Sequence, residues 1–120
     1  MKKMCLLLVD DEVTIREMIA EWMADDGFII RMAANADEAF DLVKQPPRAI
    51  RALVTDLHMA GDRDGVHVAQ LVRRRFPDAV ILVITGRPDA ERLHDLDAGC
   101  RVMSKPFRLD EVRNHILSHC

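Results

Sequence analysis

No apolar run in the 120 residues approaches the roughly 20 needed to span a bilayer, so membrane insertion is not expected. A signal peptide is not expected either. The start, MKKMCLLLVDDE, has too short an apolar stretch, and it runs into acids rather than small residues. Cysteine is scarce: Cys5, Cys100 and Cys120 are odd in number and lack the pairwise spacing of a zinc site. Cys5 falls in an apolar stretch, where a free thiol acts as a small hydrophobe, and a reduced, cytoplasmic chain is the simplest account. Strong charge of one sign is also missing. The formal net charge of −3 gives no general pull toward nucleic acid or an anionic membrane. Internal repeats, low-complexity tracts and linkers are absent. What is present is core-forming material, 49% hydrophobic against 31% charged residues, in a length that suits one domain over residues 1–120.

Short apolar runs alternate with segments of helical period. The runs are Met4 to Val9, Phe28 to Ala33, Ala52 to Thr55, Ala79 to Thr85 and, more weakly, Val102 to Ser104. Between them, Ile15, Met18, Ile19, Trp22 and Met23 recur as one buried helix face does, with Gly27 as the stop. Ala36, Ala39, Phe40 and Val43 repeat the pattern up to Pro46 and Pro47. Gly65, Val68, Ala69, Val72 and Phe76 do so again up to Pro77. Pro88 to Leu96 predicts a shorter, poorer fourth helix, and Leu109, Val112, Ile116 and Leu117 mark a fifth. Continuous rather than alternating apolar strands indicate a sheet covered on both faces. Five β-α units with right-handed crossovers predict an α/β fold, a doubly wound parallel sheet with helices on both faces. The run Arg73 to Arg75 is expected to be the solvated end of the third helix.

In such sheets ligands bind at the carboxyl ends of the strands, near the point where strand order reverses. Asp10, Asp11 and Glu12 follow the first strand, Asp56 the third, Thr85 and Gly86 the fourth, and Lys105 and Pro106 the fifth. Asn35, after the second strand, has the character of a helix N-cap. Asp10 or Asp11 could equally cap the first helix, Asp56 and Thr85-Gly86 could serve turns, and Lys105 could be solvated. The coincidence of three acids, a hydroxyl and a lysine on one sheet edge favours chemistry. Three carboxylates in one pocket repel, and a divalent cation relieves them. Oxygen ligands without thiolate suit Mg²⁺. A carboxylate can itself become a nucleophile, forming an acyl phosphate, with Lys105 and Thr85 contacting the phosphoryl oxygens.

The motifs LLVDDE, LVTDLHMAG…DG, VITG and SKPF, in that order, resemble the receiver domain of two-component response regulators across essentially the whole chain. The resemblance extends to single-domain receivers of the chemotaxis-regulator kind and implies a five-stranded flavodoxin-like sheet of order 2-1-3-4-5. It implies Asp56 as acceptor of a phosphoryl group from a sensor histidine kinase or histidine phosphotransfer protein. It assigns Mg²⁺ to Asp10, Asp11, Asp56 and the backbone carbonyl of His58, phosphoryl contact to Lys105, and the switch to Thr85. Glu12 is expected at the rim, opening the first helix. The chain is then a phosphoacceptor promoting its own phosphorylation and dephosphorylation, not an enzyme with a separate substrate. Its downstream target is a protein, bound at the fourth helix, fifth strand and fifth helix, a face that could also form a homodimer. Direct nucleic-acid binding is not expected, since only Ser118 to Cys120 follow the last apolar repeat.

Three features depart from the family pattern. Val102 stands where an aromatic residue usually precedes the lysine by three positions, so the usual coupled rotation of that ring is lost. DLHMAGDRDG is one residue longer than common, with Ala60 where proline is frequent, and DAGCR is one residue short. Two rival functions use parts of the same set. A phosphatase of the haloacid dehalogenase type needs a second Asp two residues after its nucleophile, where His58 stands. A receiver-like scaffold that binds partners without phosphorylation is the other. A flavodoxin is disfavoured, because Asp10, Asp11 and Glu12 would repel the phosphate its first loop must hold.

Overall fold

The five apolar runs all become strands, and in the three central ones the apolar residues that alternation turns to either side meet a helical layer there. The structure, a computed structural model, describes residues 4–44 and 49–120. Its elements are β1 (Cys5–Val9), α1 (Val13–Ala24), β2 (Ile29–Ala33), α2 (Ala36–Lys44), β3 (Ile50–Asp56), α3 (Gly65–Arg75), β4 (Val80–Thr85), a 3₁₀ segment (Glu91–Asp95), β5 (Arg101–Ser104) and α4 (Leu109–His119). The sheet is parallel throughout, in the order β2-β1-β3-β4-β5. The proposed stop of α2 at Pro46 and Pro47 lies outside the described residues.

Successive side chains of a strand point to opposite faces. Leu7, Val9, Leu53, Ile81 and Val83 therefore join Ala39, Val43, Val68 and Val72 in one core under α2 and α3. Leu6, Leu8, Val54, Leu82 and Ile84 join Ile19, Met23, Val112 and Ile116 in the other, under α1 and α4. Burying one such Leu or Ile is worth roughly 1.5–3 kcal/mol, so both layers hold the central strands in register.

Local chemistry sets the helix ends. Gly27 adopts φ +84°, in the left-handed region that glycine enters without a steric penalty, and turns the chain from α1 into β2. The Asn35 side chain accepts the Glu38 N–H at 2.9 Å and caps α2 as expected. Asp64 caps α3, accepting from the N–H groups of Val66 and His67 at 3.0 and 3.2 Å, while His67 Nδ1 accepts the Asp64 N–H at 3.0 Å.

Two expectations change. The fourth helix is a five-residue 3₁₀ segment with no fully buried residue. Its apolar anchors, Ala90, Leu93 and Leu96, recur every three residues and rest on the α2–α3 core, which is the period of a 3₁₀ and not of an α-helix. Arg74 and Arg75 are exposed as expected, but Arg73 is only partly so. Its guanidinium donates to Asp97 at 2.9 Å and to the carbonyls of Pro77 and Ala79 at 2.7 and 2.8 Å, closing the turn before β4.

Candidate functional site

The central strands end in sequence order at the same edge, and main-chain hydrogen bonds continue past them. The N–H of Leu57 donates to the Ile84 carbonyl at 3.0 Å, and that of Lys105 to the Thr85 carbonyl at 2.8 Å. The sheet thus delivers Asp56, Thr85 and Lys105 to one place. Asp10 enters from β1, with its N–H donating to the Ala33 carbonyl at 3.1 Å.

Asp10, Asp11 and Asp56 each offer a carboxylate oxygen, all within 4.8 Å of one another. Asp10 and Asp56 are only 6% and 7% exposed, whereas Asp11 faces solvent. Lys105 Nζ lies 3.2 Å from Asp56 Oδ2 and 3.8 Å from Glu12 Oε1. Burial pushes the Asp56 carboxyl above its ordinary range despite the ammonium of Lys105 beside it. Burial raises Asp10 too, with the nearby Asp56 and Asp11 charges adding to the effect and the Glu12 N–H opposing it. For Lys105, burial favours the neutral amine, but the carboxylates of Asp56 and Asp10 outweigh it and hold the ammonium above its usual range. Three acids against one lysine leave a net negative, oxygen-only pocket. That donor set fits a divalent cation.

Thr85 is fully buried, and its Oγ accepts the Arg87 N–H at 2.9 Å, leaving the hydroxyl hydrogen free to donate. Gly86 and Arg87 are exposed, so the approach over the pocket is open. His58 lies in the loop after β3 with its side chain exposed. Val102 is half-buried and rests on the α2–α3 core. Neither Asp10 nor Asp11 caps α1. Glu12 is the N-cap residue, without a side-chain cap bond, and Asp10 Oδ1 instead accepts the Glu12 N–H at 2.8 Å.

The strand-end rule missed several supporting groups. The Thr55 hydroxyl donates to the Asp56 carbonyl at 2.9 Å. Gly65 lies against that same carbonyl, where an added Cβ would fall 2.1 Å from the oxygen. The smallness needed at this point was visible only as the DG pair before α3. Arg92, in the 3₁₀ segment, donates twice to Asp64, at 2.8 and 3.0 Å, and ties the segment after β4 to the loop after β3. Burial alone would raise Asp64, but Arg92 and the His67 N–H hold its carboxyl below the usual range. Arg63 secures the same loop from the other side. It pairs with Asp37 at 2.7 Å and lies 3.9 Å over the Phe40 ring.

The chain belongs to the response regulator receiver domain family, whose model matches residues 6–117. Response regulator MprA of Mycobacterium avium is 34% identical over 111 residues, which are 91% of this chain and 47% of that protein. The chain spans about a quarter of the NtrX-like response regulators of Rickettsia and about half of MprA. A response regulator receiver protein from Sinorhizobium medicae shares the fold, with a TM-score of 0.88 at 24% identity, covering 98% of this chain and 94% of that one. TrrA from Thermotoga maritima, solved in complex with Mg²⁺-BeF, matches with a TM-score of 0.79 at 26% identity, covering 98% and 99% of the two chains. No helix among the described residues is long and apolar enough to cross a membrane.

Proposed function

We propose that this receiver domain accepts a phosphoryl group on Asp56 from the phosphohistidine of a sensor histidine kinase or histidine phosphotransfer protein, with Mg²⁺ as its cation. The observation that carries this is the Asp56 carboxylate, buried at the end of a central strand, 3.2 Å from Lys105 and clustered with Asp10 and Asp11. Asp10, Asp11, Asp56 and the His58 carbonyl would hold Mg²⁺, which supplies neutralisation of the charge on the transferring group when bound. The TrrA complex with Mg²⁺-BeF supports this choice of cation by similarity.

In the transfer, an Asp56 carboxylate oxygen forms a bond to phosphorus as the phosphorus–nitrogen bond of the donor breaks. The electron pair of that bond stays on the departing imidazole. Lys105 loses its ion pair with the carboxylate and donates to the phosphoryl oxygens instead. Thr85 donates its hydroxyl to the same group, and water later returns the acyl phosphate to carboxylate and phosphate. The chain is therefore a phosphoacceptor and not an enzyme with a substrate of its own.

The group replaces one carboxylate charge with about −1.5 to −2 and three acceptor oxygens. A charged hydrogen bond from Thr85, worth about 1.5–3 kcal/mol, biases its loop roughly 10- to 150-fold. The 3₁₀ segment, β5 and α4 follow directly from that loop, and a downstream protein would read the change on this face.

Incubation with Mg²⁺ and acetyl phosphate, followed by intact mass, tests the assignment. Wild type gains one phosphoryl mass and Asp56→Asn gains none. Labelling retained in the variant would move the site elsewhere, and no labelling of either would favour an unphosphorylated scaffold.

A further inference from the structure

The turn that carries Asp10 and Asp11 is thinly secured for a segment holding two charged groups in fixed relation. Glu12, at the N-cap of α1, makes no side-chain cap bond, and no acid occupies the first turn of the helix. Arg16 does not cap the first N–H groups of the helix but ties down the turn before them. From the fourth position of α1 it reaches back, and its Nη1 donates to the main-chain carbonyl of Asp10 at 2.7 Å. Its own N–H donates to the Glu12 carbonyl at 3.1 Å as an ordinary helical bond. The partner of the guanidinium is thus the peptide between Asp10 and Asp11 and not a carboxylate. Asp10 is held at both ends, by Arg16 at its carbonyl and by the Glu12 N–H at Oδ1.

Rotation of the 10–11 peptide would move the exposed Asp11 carboxylate away from Asp10 and Asp56. Those three oxygens stay within 4.8 Å of one another although their charges repel. Something must oppose that repulsion, and Lys105, which contacts the Asp56 and Glu12 carboxylates, makes no hydrogen bond to the main chain of the turn among the described residues.

We infer that Arg16 is a positioning residue for the divalent-cation seat, orienting Asp11 by clamping the Asp10 carbonyl. This rests on the proposed cation site. The clamp and the bare charge of Arg16 have effects of opposite sign on cation binding. A guanidinium acting only through its field would weaken the binding of a cation, so its removal would tighten it. A guanidinium acting as a clamp strengthens binding, so its removal loosens it.

The test is a MgCl2 titration of wild type, Arg16→Gln and Arg16→Lys, followed by the backbone amide resonances of Asp10, Asp11 and Leu57. Arg16→Gln is expected to raise the Mg²⁺ Kd about tenfold, the low end of the loss on removing a group that supports a metal ligand. Arg16→Lys keeps the charge and one donor and is expected to recover part of that loss. Amide spectra of α1 away from the turn report whether each variant keeps its fold. At saturating Mg²⁺, labelling of Asp56 by acetyl phosphate should return to within about twofold of wild type, since a group acting only through the seat costs nothing once the seat is full. Equal or tighter binding by Arg16→Gln, with wild type responding normally, would overturn the clamp alone. Labelling that stays slow at saturation would also overturn it. A wild type that shows no Mg²⁺ response would overturn the cation seat and this role together.

Discussion

The acid cluster works against the stability of the protein that carries it, and Asp10→Asn isolates the effect. Two unit charges 4.8 Å apart repel by about 1 kcal/mol if screened as in water and about 3.5 kcal/mol at an effective dielectric of about 20. Asp10 and Asp56, both buried, lie toward the upper figure, while Asp11 is exposed and lies toward the lower. Lys105 returns part of this through its contact with Asp56. Asparagine keeps an oxygen to accept the Glu12 N–H, so the turn is preserved. The net expectation is a gain of about 1–2 kcal/mol at neutral pH in EDTA, a usual size for relieving a functional site of strain. Saturating Mg²⁺ reverses the advantage, because a cation at 100 times its Kd stabilises wild type by about 2.7 kcal/mol. The variant has lost one of the charges proposed to bind it. Urea denaturation of both proteins with and without Mg²⁺ measures the two increments. The pH dependence follows from the raised carboxyl of Asp10. Its folded form holds the proton more tightly than the unfolded chain, so the penalty is present above the folded pKa. It fades as pH falls toward the unfolded value, and the two proteins converge in acid. A variant less stable than wild type in EDTA, or one with an undiminished Mg²⁺ increment, would refute the reasoning.

Two further perturbations probe the supports of the site. Gly65→Ala places a Cβ 2.1 Å from the Asp56 carbonyl oxygen, far inside contact distance. It should cost about 1–3 kcal/mol by overpacking, and acetyl phosphate labelling should slow because the displaced group is the backbone of Asp56, the proposed phosphoacceptor. An alanine variant with wild-type urea midpoint and labelling rate would show that the approach is looser than drawn. Asp64→Ala removes the α3 cap and both Arg92 bonds, with an expected loss of about 0.5–2 kcal/mol from the cap alone. Since the Asp64 carboxyl lies below its ordinary range, its contribution is present above the unfolded pKa and is lost as pH falls through the folded one. The difference between wild type and Asp64→Ala, followed by thermal unfolding from neutral to acid pH, should therefore shrink in acid. A constant difference would count against the charged pair.

The parallel sheet was legible because the runs Cys5–Val9, 52–54 and 80–84 are continuously apolar rather than alternating, as burial on both faces requires. Asp10, Asp11, Asp56, Thr85 and Lys105 were legible for a related reason. Each stands where an apolar run ends, and in a parallel sheet those ends share one edge. The family resemblance added roles, among them the carbonyl of His58, that the residue types do not announce. The 3₁₀ segment was misjudged as an α-helix, although the spacing of Ala90, Leu93 and Leu96 by threes carried its true period. Arg73 was misjudged because a run of arginines looks the same whether its first member faces water or folds back on Pro77, Ala79 and Asp97.

By itself, then, the pattern of residues determined the layering, the strand ends and the acids that meet there, since these follow from local period and from the edge rule. Only the tertiary structure decided what holds those groups in place. Arg92 meets Asp64 across 28 positions of chain, Lys105 meets Asp56 across 49, and Gly65 must be small because the Asp56 carbonyl passes over it. Such contacts depend on where separate elements dock, and neighbours in space that are distant in sequence leave no periodic trace.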